Sequence, residues 1–303
     1  VFNHSTINRF AHTVIGAFVL GSFFVMSISA YYLLRGRHDD FARRSFSGGL
    51  LFATAASLAA LISGDSNGRM VAAYQPAKLA AFEDHLKTGP ADLFVLRGGL
   101  SLLLYGDRNA EVIGLDRIRP EYRPPVVPAY LSFRLMVALG TSFVVLTLYA
   151  SWLRRRGTLF EKRWLLWIFV FAVLGAFAAN ELGWMAAEVG RQPWIVHPGV
   201  VRDASGNVAL DSDGYVRYRL EEGLLTRNAV SEAVSGGQVL GSIVMFGVMY
   251  SLLFLVWIYV LNDKIQKGPQ PVHPRAQTTA QAFFSTTAGR TLHEGSMSEA
   301  KEP

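Results

Sequence analysis

The chain has 303 residues, of which 51% are hydrophobic and 17% are charged, and it contains no cysteine. Ordinary soluble domains carry about 25% charged residues, so this composition favours a membrane protein. Without cysteine the chain forms no disulfide, thiolate zinc site, iron–sulfur cluster or thioether-linked haem, and its net charge of +6 raises the question of a nucleic-acid partner.

Five apolar blocks are long enough to cross a bilayer as helices, which takes roughly 17–25 residues. The second block is rich in Ala, Gly and Ser, small residues that allow helices to pack closely. We therefore predict an all-α membrane protein with five transmembrane helices in a bundle. The predicted spans are residues 11–34, 46–63, 129–153, 164–189 and 239–261.

Basic residues lie mainly in the short connections between these spans. Residues 35–44 hold four arginines, residues 154–163 hold five basic side chains, and two lysines follow the fifth span. Short basic loops stay in the cytoplasm, so the longer connections, 64–128 and 190–238, are predicted to face outward. The positive charge is therefore a signal of topology, and we predict no nucleic-acid partner.

This topology divides the chain into segments of different kinds. The outer loop 64–128 is long for a spacer, which favours a functional role. Its apolar part, 94–105, is too short to span and could be re-entrant or lie on the membrane surface. The tail is rich in Pro, Gln, Thr and Ser, a composition typical of disorder. The predicted segments are 1–63 (helices one and two), 64–128 (outer loop), 129–189 (helices three and four), 190–238 (second outer loop), 239–265 (helix five) and 266–303 (disordered cytoplasmic tail).

Three side chains in spans one and three could belong to a haem site. His12 lies in the first turn of span one and Met136 lies roughly 10 Å into span three, so both fall in the outer third of the membrane. Together they could ligate a low-spin haem, although an interfacial histidine and an apolar packing residue are the simpler alternatives. Arg134 points to another side of its helix, where it could neutralise a haem propionate or extend to the lipid headgroups.

Two carboxylates lie toward the outer end of span four. Glu181, Met185 and Glu188 share one helix face, with Glu188 in the last turn and Glu181 roughly 10 Å deeper. Either carboxylate could ligate haem iron or carry protons. The alternative is an ion pair with Arg134 or Arg191.

The outer loop carries a charged pair among apolar residues, Lys78 and Glu83. Beside a membrane surface, such a pair could hold an amphipathic hydroxylated ring such as a quinol and deprotonate it, with Glu83 as the base. A solvated helix turn explains the same two residues.

Several sequence motifs, in chain order, resemble subunit I of the cytochrome bd-type quinol oxidases. They are FAHTVIGAFVLG with the basic turn RGR…FARRSF, GDSNG with QPAKLAAFE, SFRLMVALG, and GWMAAEVGRQPW, and the match runs over residues 6–262. The resemblance implies a respiratory terminal oxidase of the bacterial inner membrane. Such an oxidase oxidises quinol at the outer face, reduces O₂ to water and builds a proton gradient without pumping.

The resemblance also implies roles for individual residues. His12 and Met136 match the axial ligands of the low-spin haem b, and Arg134 matches an arginine near that haem. Glu188 matches a carboxylate ligand of a high-spin haem, whereas Glu181 remains a candidate for proton handling only. The residues that match the quinol-oxidising pair of the family's outer Q-loop are Lys78 and Glu83.

The family's cofactors and partners are implied in the same way. They are a low-spin haem b, a high-spin haem b and either haem d or a b-type replacement, with membrane lipid, oxidase subunit II and a small single-helix subunit as candidate partners. The five spans resemble the family's last five, and the earlier spans carry the histidine of one high-spin site. Because the chain opens without Met, we expect a fragment or a chain completed by a separate one, unable to reduce O₂ alone.

Two other classes of function are compatible with charged groups in the spans. A transporter or channel would line its substrate path with Arg134 and Glu181, but it predicts broken helices or repeated halves, which the sequence does not show. A non-catalytic assembly fragment would bind partner subunits without haem. The resemblance leaves the quinone type open.

Overall fold

The computed structural model describes residue 3, residues 5–93 and residues 96–269. Within these residues the chain forms seven α-helices and six short strands. The helices are α1 Thr6–Arg35, α2 Asp39–Tyr74, α3 Pro76–Glu83, α4 Gly99–Tyr105, α5 Val126–Arg155, α6 Arg163–Val189 and α7 Gly236–Lys267. The strands form three antiparallel pairs, β1 Gly89–Pro90 with β2 Glu111–Val112, β3 Trp194–Val196 with β6 Leu224–Leu225, and β4 Gly199–Val200 with β5 Tyr218–Arg219.

Five of these helices, α1, α2, α5, α6 and α7, are long and apolar enough to cross a membrane. The predicted all-α class and the five spans are therefore confirmed. The predicted limits of the second span, 46–63, were too narrow, because α2 extends into polar sequence at both ends. Hydropathy marks only the apolar middle of a helix, whereas the backbone hydrogen bonds continue through its polar turns. The predicted tail also begins too early, since α7 continues to Lys267, and residues 270–303 lie outside the described residues.

The chain divides into two compact units, residues 1–244 and 245–303. In the first unit α1, α2, α5 and α6 form a four-helix bundle, in which α1 packs on α2 and α6, and α5 packs on the same two helices. The helices α1 and α5 thus lie diagonally opposite. They meet in the middle of the bundle, where the rings of Phe23 and Phe143 have centroids 4.7 Å apart. Phe46 and Phe169 are fully buried beside them.

The two long connections pack together at one end of this bundle, and we call residues 75–93, 96–125 and 190–235 the cap. Ile118 of the first connection lies in one apolar cluster with Val216 and Tyr218 of the second. Arg119 joins the same two connections through an ion pair with Asp211 at 2.6 Å. The cap is therefore a folded layer built from both connections, whereas the sequence indicated two separate loops.

Residues 96–105 of the apolar segment 94–105 form part of this cap. Residues 94 and 95 lie outside the described residues, and the rest of the segment includes the short helix α4. Leu100 and Leu104 pack against Met70 and Val71, which belong to the unpredicted extension of α2. The extension thus supplies the surface on which α4 folds.

Candidate functional site

The candidate site begins with the helix α3, which lies where α5 and α6 enter the cap. Pro76 occupies the first turn of α3, where its missing N–H is no loss. The buried Phe82 stacks on Phe133 of α5, with ring centroids 4.5 Å apart. Ala81 is fully buried in the same cluster, next to Ala186 of α6. These contacts fix α3 against both transmembrane helices.

The chain reverses direction directly after α3. Asp84 adopts a left-handed conformation with φ of 51°, and the N–H of His85 donates to the carbonyl of Ala80 at 2.8 Å. This hydrogen bond is the signature of a Schellman helix end. After this reversal, Glu83, the last residue of α3, and His85 both line one cavity.

That cavity has a volume of about 580 Å³ and lies between the cap and α5. Its size is within the range of small-molecule sites, roughly 300–1,000 Å³. Its polar groups come from both sides, and its apolar wall comes from α5. The polar side chains are Glu83, His85, Asp92, Tyr130 and Arg134, and the apolar ones include Leu135 and Ala138. Such a combination suits a flat, hydroxylated ring.

Glu83 and Arg134 form an ion pair inside this cavity. A guanidinium nitrogen of Arg134 donates to the Glu83 carboxylate at 2.5 Å. The side chain of Glu83 is only 5% exposed, and that of Arg134 is 18% exposed. Burial raises the pKa of Glu83 to about 7, and the charge and hydrogen bond of Arg134 act against that rise. A carboxylate that titrates near neutral pH is suited to general-base chemistry. The sequence alternatives for Arg134 did not include this partner.

Lys78 lies on a different side of α3 and does not line the cavity. Its side chain is buried, and its Nζ donates to the carbonyl of Ala187 in the last turn of α6 at 2.9 Å. Burial lowers the pKa of Lys78 to about 8; Arg9 adds to this effect and Glu188 opposes it. A cation is favourable at a helix carboxyl end, so Lys78 ties α3 to α6. Lys78 and Glu83 therefore do not line one cavity together, and the side chains of both are buried.

His12 is held in one orientation by the neighbouring helix α2. Its Nδ1 lies 2.8 Å from the Ser63 hydroxyl, which itself donates to the carbonyl of Ala60 at 3.1 Å. Because a hydroxyl has one proton to donate, it accepts a hydrogen bond from the Nδ1–H of His12. The lone pair of His12 is therefore on Nε2, the arrangement that a metal-binding histidine needs.

Met136 lies on α5, diagonally across the bundle from the helix of His12. Glycines of α6 and α1 allow side chains of the facing helices to pack closely against the backbone. A Cβ at Gly183 of α6 would lie 3.0 Å from the Met136 sulfur, and one at Gly16 of α1 would lie 2.9 Å from the Asn180 amide oxygen. An imidazole with a free Nε2 and a thioether on opposed helices are the donor set of a low-spin haem, so these residues fit that group.

Glu188 forms an ion pair with Arg191, one helical turn away, at 2.5 Å. The side chains of Glu188 and Arg191 are 41% and 40% exposed, and Glu181 and Met185 on the same face of α6 are exposed as well. The alternative of an ion pair with Arg191 is thus present. Among the described residues no group of three or more His, Cys, Asp or Glu side chains forms a metal site.

Three functional candidates were missed from the sequence: His85, Tyr130 and Ser63. His85 is two residues from Glu83, but only the left-handed turn at Asp84 brings both to one cavity. Ser63 stood at the end of predicted span two, and no pattern in the sequence pairs it with His12. Small polar residues in a span are a signal that interhelical hydrogen bonds are present, without naming the partners.

The sequence profile described as "Cytochrome bd terminal oxidase subunit I" matches residues 1–269. A Bacillus subtilis protein named cytochrome bd ubiquinol oxidase subunit 1 is 28% identical, with 86% of this chain and 57% of the relative covered. The Escherichia coli protein named cytochrome bd-II ubiquinol oxidase subunit 1 is 26% identical, over 93% of this chain and 66% of the relative. A chain of the bd oxidase structure from Geobacillus thermodenitrificans aligns with a TM-score of 0.67 and 26% identity, over 88% of this chain and 60% of that one. This chain thus spans about six tenths of the length of the proteins it matches.

Proposed function

The chain belongs to the cytochrome bd terminal oxidase subunit I family, and from that premise we propose that it forms the quinol-oxidising part of such an oxidase. The observation that carries this proposal is the buried pair of Glu83 and Arg134 inside a cavity of about 580 Å³. The substrate is a quinol, whose ring lies against the apolar wall on α5 and whose hydroxyl faces Glu83.

Glu83 is the proposed general base of the reaction. With a pKa of about 7, its carboxylate is ionised in part at neutral pH and still basic enough to accept a proton from a quinol hydroxyl. Arg134 orients the carboxylate and favours its ionised form. Lys78 acts on this site indirectly, by holding α3 against α6.

A low-spin haem b is the proposed electron acceptor, and it supplies one-electron transfer when bound. His12 would hold its iron through Nε2 and Met136 through its sulfur, with Ser63 fixing the orientation of the imidazole. Arg134 is two residues from Met136 on α5. One helix therefore carries both the partner of the proposed base and a proposed iron ligand.

Glu188 is the proposed protein ligand of a high-spin haem, on the exposed face of α6 where other parts of the oxidase can complete the site. The whole oxidase, of which this chain is a part, reduces O₂ to water. It does so with a high-spin haem b and either haem d or a b-type replacement. Its partners are membrane lipid, subunit II and a small single-helix subunit. The cap faces the periplasm of the bacterial inner membrane, so protons from quinol are released there and turnover builds a gradient without pumping.

A transporter function has less support from the geometry. A substrate path would need both Arg134 and Glu181, but Arg134 pairs with Glu83 in the cap and Glu181 lies on the exposed face of α6.

The proposal is tested by the change Glu83→Gln in the whole purified oxidase. Removing a general base is expected to slow quinol oxidation by roughly 10²–10⁴-fold, while the reduced-minus-oxidised haem spectrum stays intact. The matched control is Glu232→Gln, an exposed carboxylate outside the cavity lining. Equal rates in the two variants would remove Glu83 from the mechanism.

A further inference from the structure

We propose that His85 is the second proton acceptor of the quinol site, a proposal that rests on the proposed function. Oxidation of a quinol breaks two O–H bonds, at opposite ends of the ring, and one base cannot reach both. One proton goes to the carboxylate of Glu83 and the other to Nδ1 of His85. The two electrons leave one at a time to the haem of the holoenzyme, and the ring becomes a quinone.

The backbone holds His85 at the cavity from both sides. Its N–H donates to the carbonyl of Ala80, and its own carbonyl accepts from the N–H of Leu115 at 2.9 Å. Ala80 belongs to α3, whereas Leu115 lies in the cap after β2, and both residues are buried. The residue is therefore held in place before substrate arrives, which a proton acceptor needs because misplacement costs rate.

The tautomer of His85 follows from its hydrogen bond. Nε2 lies 3.1 Å from the carbonyl of Val112, and a carbonyl oxygen accepts but does not donate. In the neutral imidazole, Nε2 therefore carries the proton and Nδ1 carries the lone pair. Val112 is 1% exposed, so the Nε2 edge is turned to the cap interior, and the proposal assigns the opposite, Nδ1 edge to the cavity that His85 lines.

The other polar side chains of the cavity are less suited to this role. Asp92 accepts the N–H of Gly98 at 2.7 Å, a bond that fixes a turn of the cap. Tyr130 is a phenol, and the Arg134 guanidinium lies 5.4 Å from its ring centroid, so it is a poor proton acceptor. The charged groups that border the cavity and the turn of His85 are Glu83, Asp84, Asp92 and Arg134.

The first test compares three variants of the whole oxidase. His85→Gln keeps an N–H that can donate to Val112 and lacks a basic nitrogen, and it is expected to slow quinol oxidation at least tenfold with full haem content. The matched control is His38→Gln, in the turn between α1 and α2, which is expected to keep the parent rate. Normal turnover of His85→Gln would overturn the role of His85.

Glu83→Gln, measured alongside, separates the two proposals. If Glu83→Gln is slow and His85→Gln is not, only the role of His85 fails. If both are as fast as the control, the proposed quinol site itself fails.

The second test distinguishes proton transfer from a structural role. In His85→Gly, added imidazoles of increasing basicity are expected to restore quinol oxidation, with a rate that rises with their basicity. A structural filler would restore the rate without regard to basicity. Absence of rescue in a variant with full haem content, or rescue independent of basicity, would contradict the proposal.

Discussion

At the scale of single residues, the account depends on one ion pair. Glu83 comes from the cap and Arg134 from a transmembrane helix, and both side chains are largely buried. Sequence reasoning selected both residues, the first as a base and the second as a buried arginine. It could not pair them, because they are separated by fifty-one positions and no periodic pattern relates a cap helix to a span.

The pH dependence of quinol oxidation is expected to report on this pair. The base must be ionised, so the rate should rise with pH through about 7, the pKa of Glu83. Arg134 lowers that pKa, so Arg134→Gln should move the rise to higher pH, whereas Arg134→Lys, which keeps the charge, should move it less. The measurement is the pH profile of kcat/KM. A profile unmoved by Arg134→Gln would show that Glu83 is not the titrating group.

The hydrogen bond between His12 and Ser63 predicts a change in haem potential. An acceptor on Nδ1–H makes Nε2 a stronger donor to iron and stabilises the ferric state. Ser63→Ala should therefore raise the midpoint potential of the low-spin haem, and Ser63→Thr should restore it. Redox titration of the α-band measures the shift. Ser66→Ala, one turn further along α2, is the control, and an equal potential in both alanine variants would count against His12 as the ligand.

At the scale of elements, the helix α3 sets the position of the site. It is fixed by the Phe82–Phe133 ring stack and by the hydrogen bond from Lys78 to the end of α6. The close approach of α3 to the end of α6 explains why residue 190, which follows α6, is a glycine. A Cβ at Gly190 would lie 2.7 Å from both the Phe82 ring and the carbonyl of Ala186. The GRQPW motif thus contains a glycine because two elements meet there, which the sequence alone does not reveal.

Gly190→Ala is accordingly expected to displace α3 from its packing position against α6. Because the Ala186 carbonyl is backbone and cannot move freely, the clash should cost about 1–3 kcal/mol and slow quinol oxidation. Gly68→Ala in α2 is the matched control, since a Cβ there meets nothing within 4 Å. Thermal unfolding of the purified oxidase measures the effect. A melting temperature of Gly190→Ala equal to that of Gly68→Ala would contradict the packing described.

At the scale of the whole molecule, the five spans were predictable and the cap was not. Hydropathy identifies a span because some twenty apolar residues have few other uses. The cap is held by contacts between distant connections, such as Arg119 with Asp211, and by the polar extension of α2, neither of which leaves a local pattern. The site lies at the boundary of these two layers, so its residues could be proposed from the sequence but not its cavity.

Delivery of electrons from quinol at the cap to a haem in the bundle can be measured by stopped-flow reduction of the low-spin haem in the whole oxidase. In Glu83→Gln, we expect quinol to reduce the haem more slowly by roughly two orders of magnitude or more. Reduction by dithionite needs no base, so it should stay complete and fast. Reduction by quinol at the parent rate in Glu83→Gln would contradict the account.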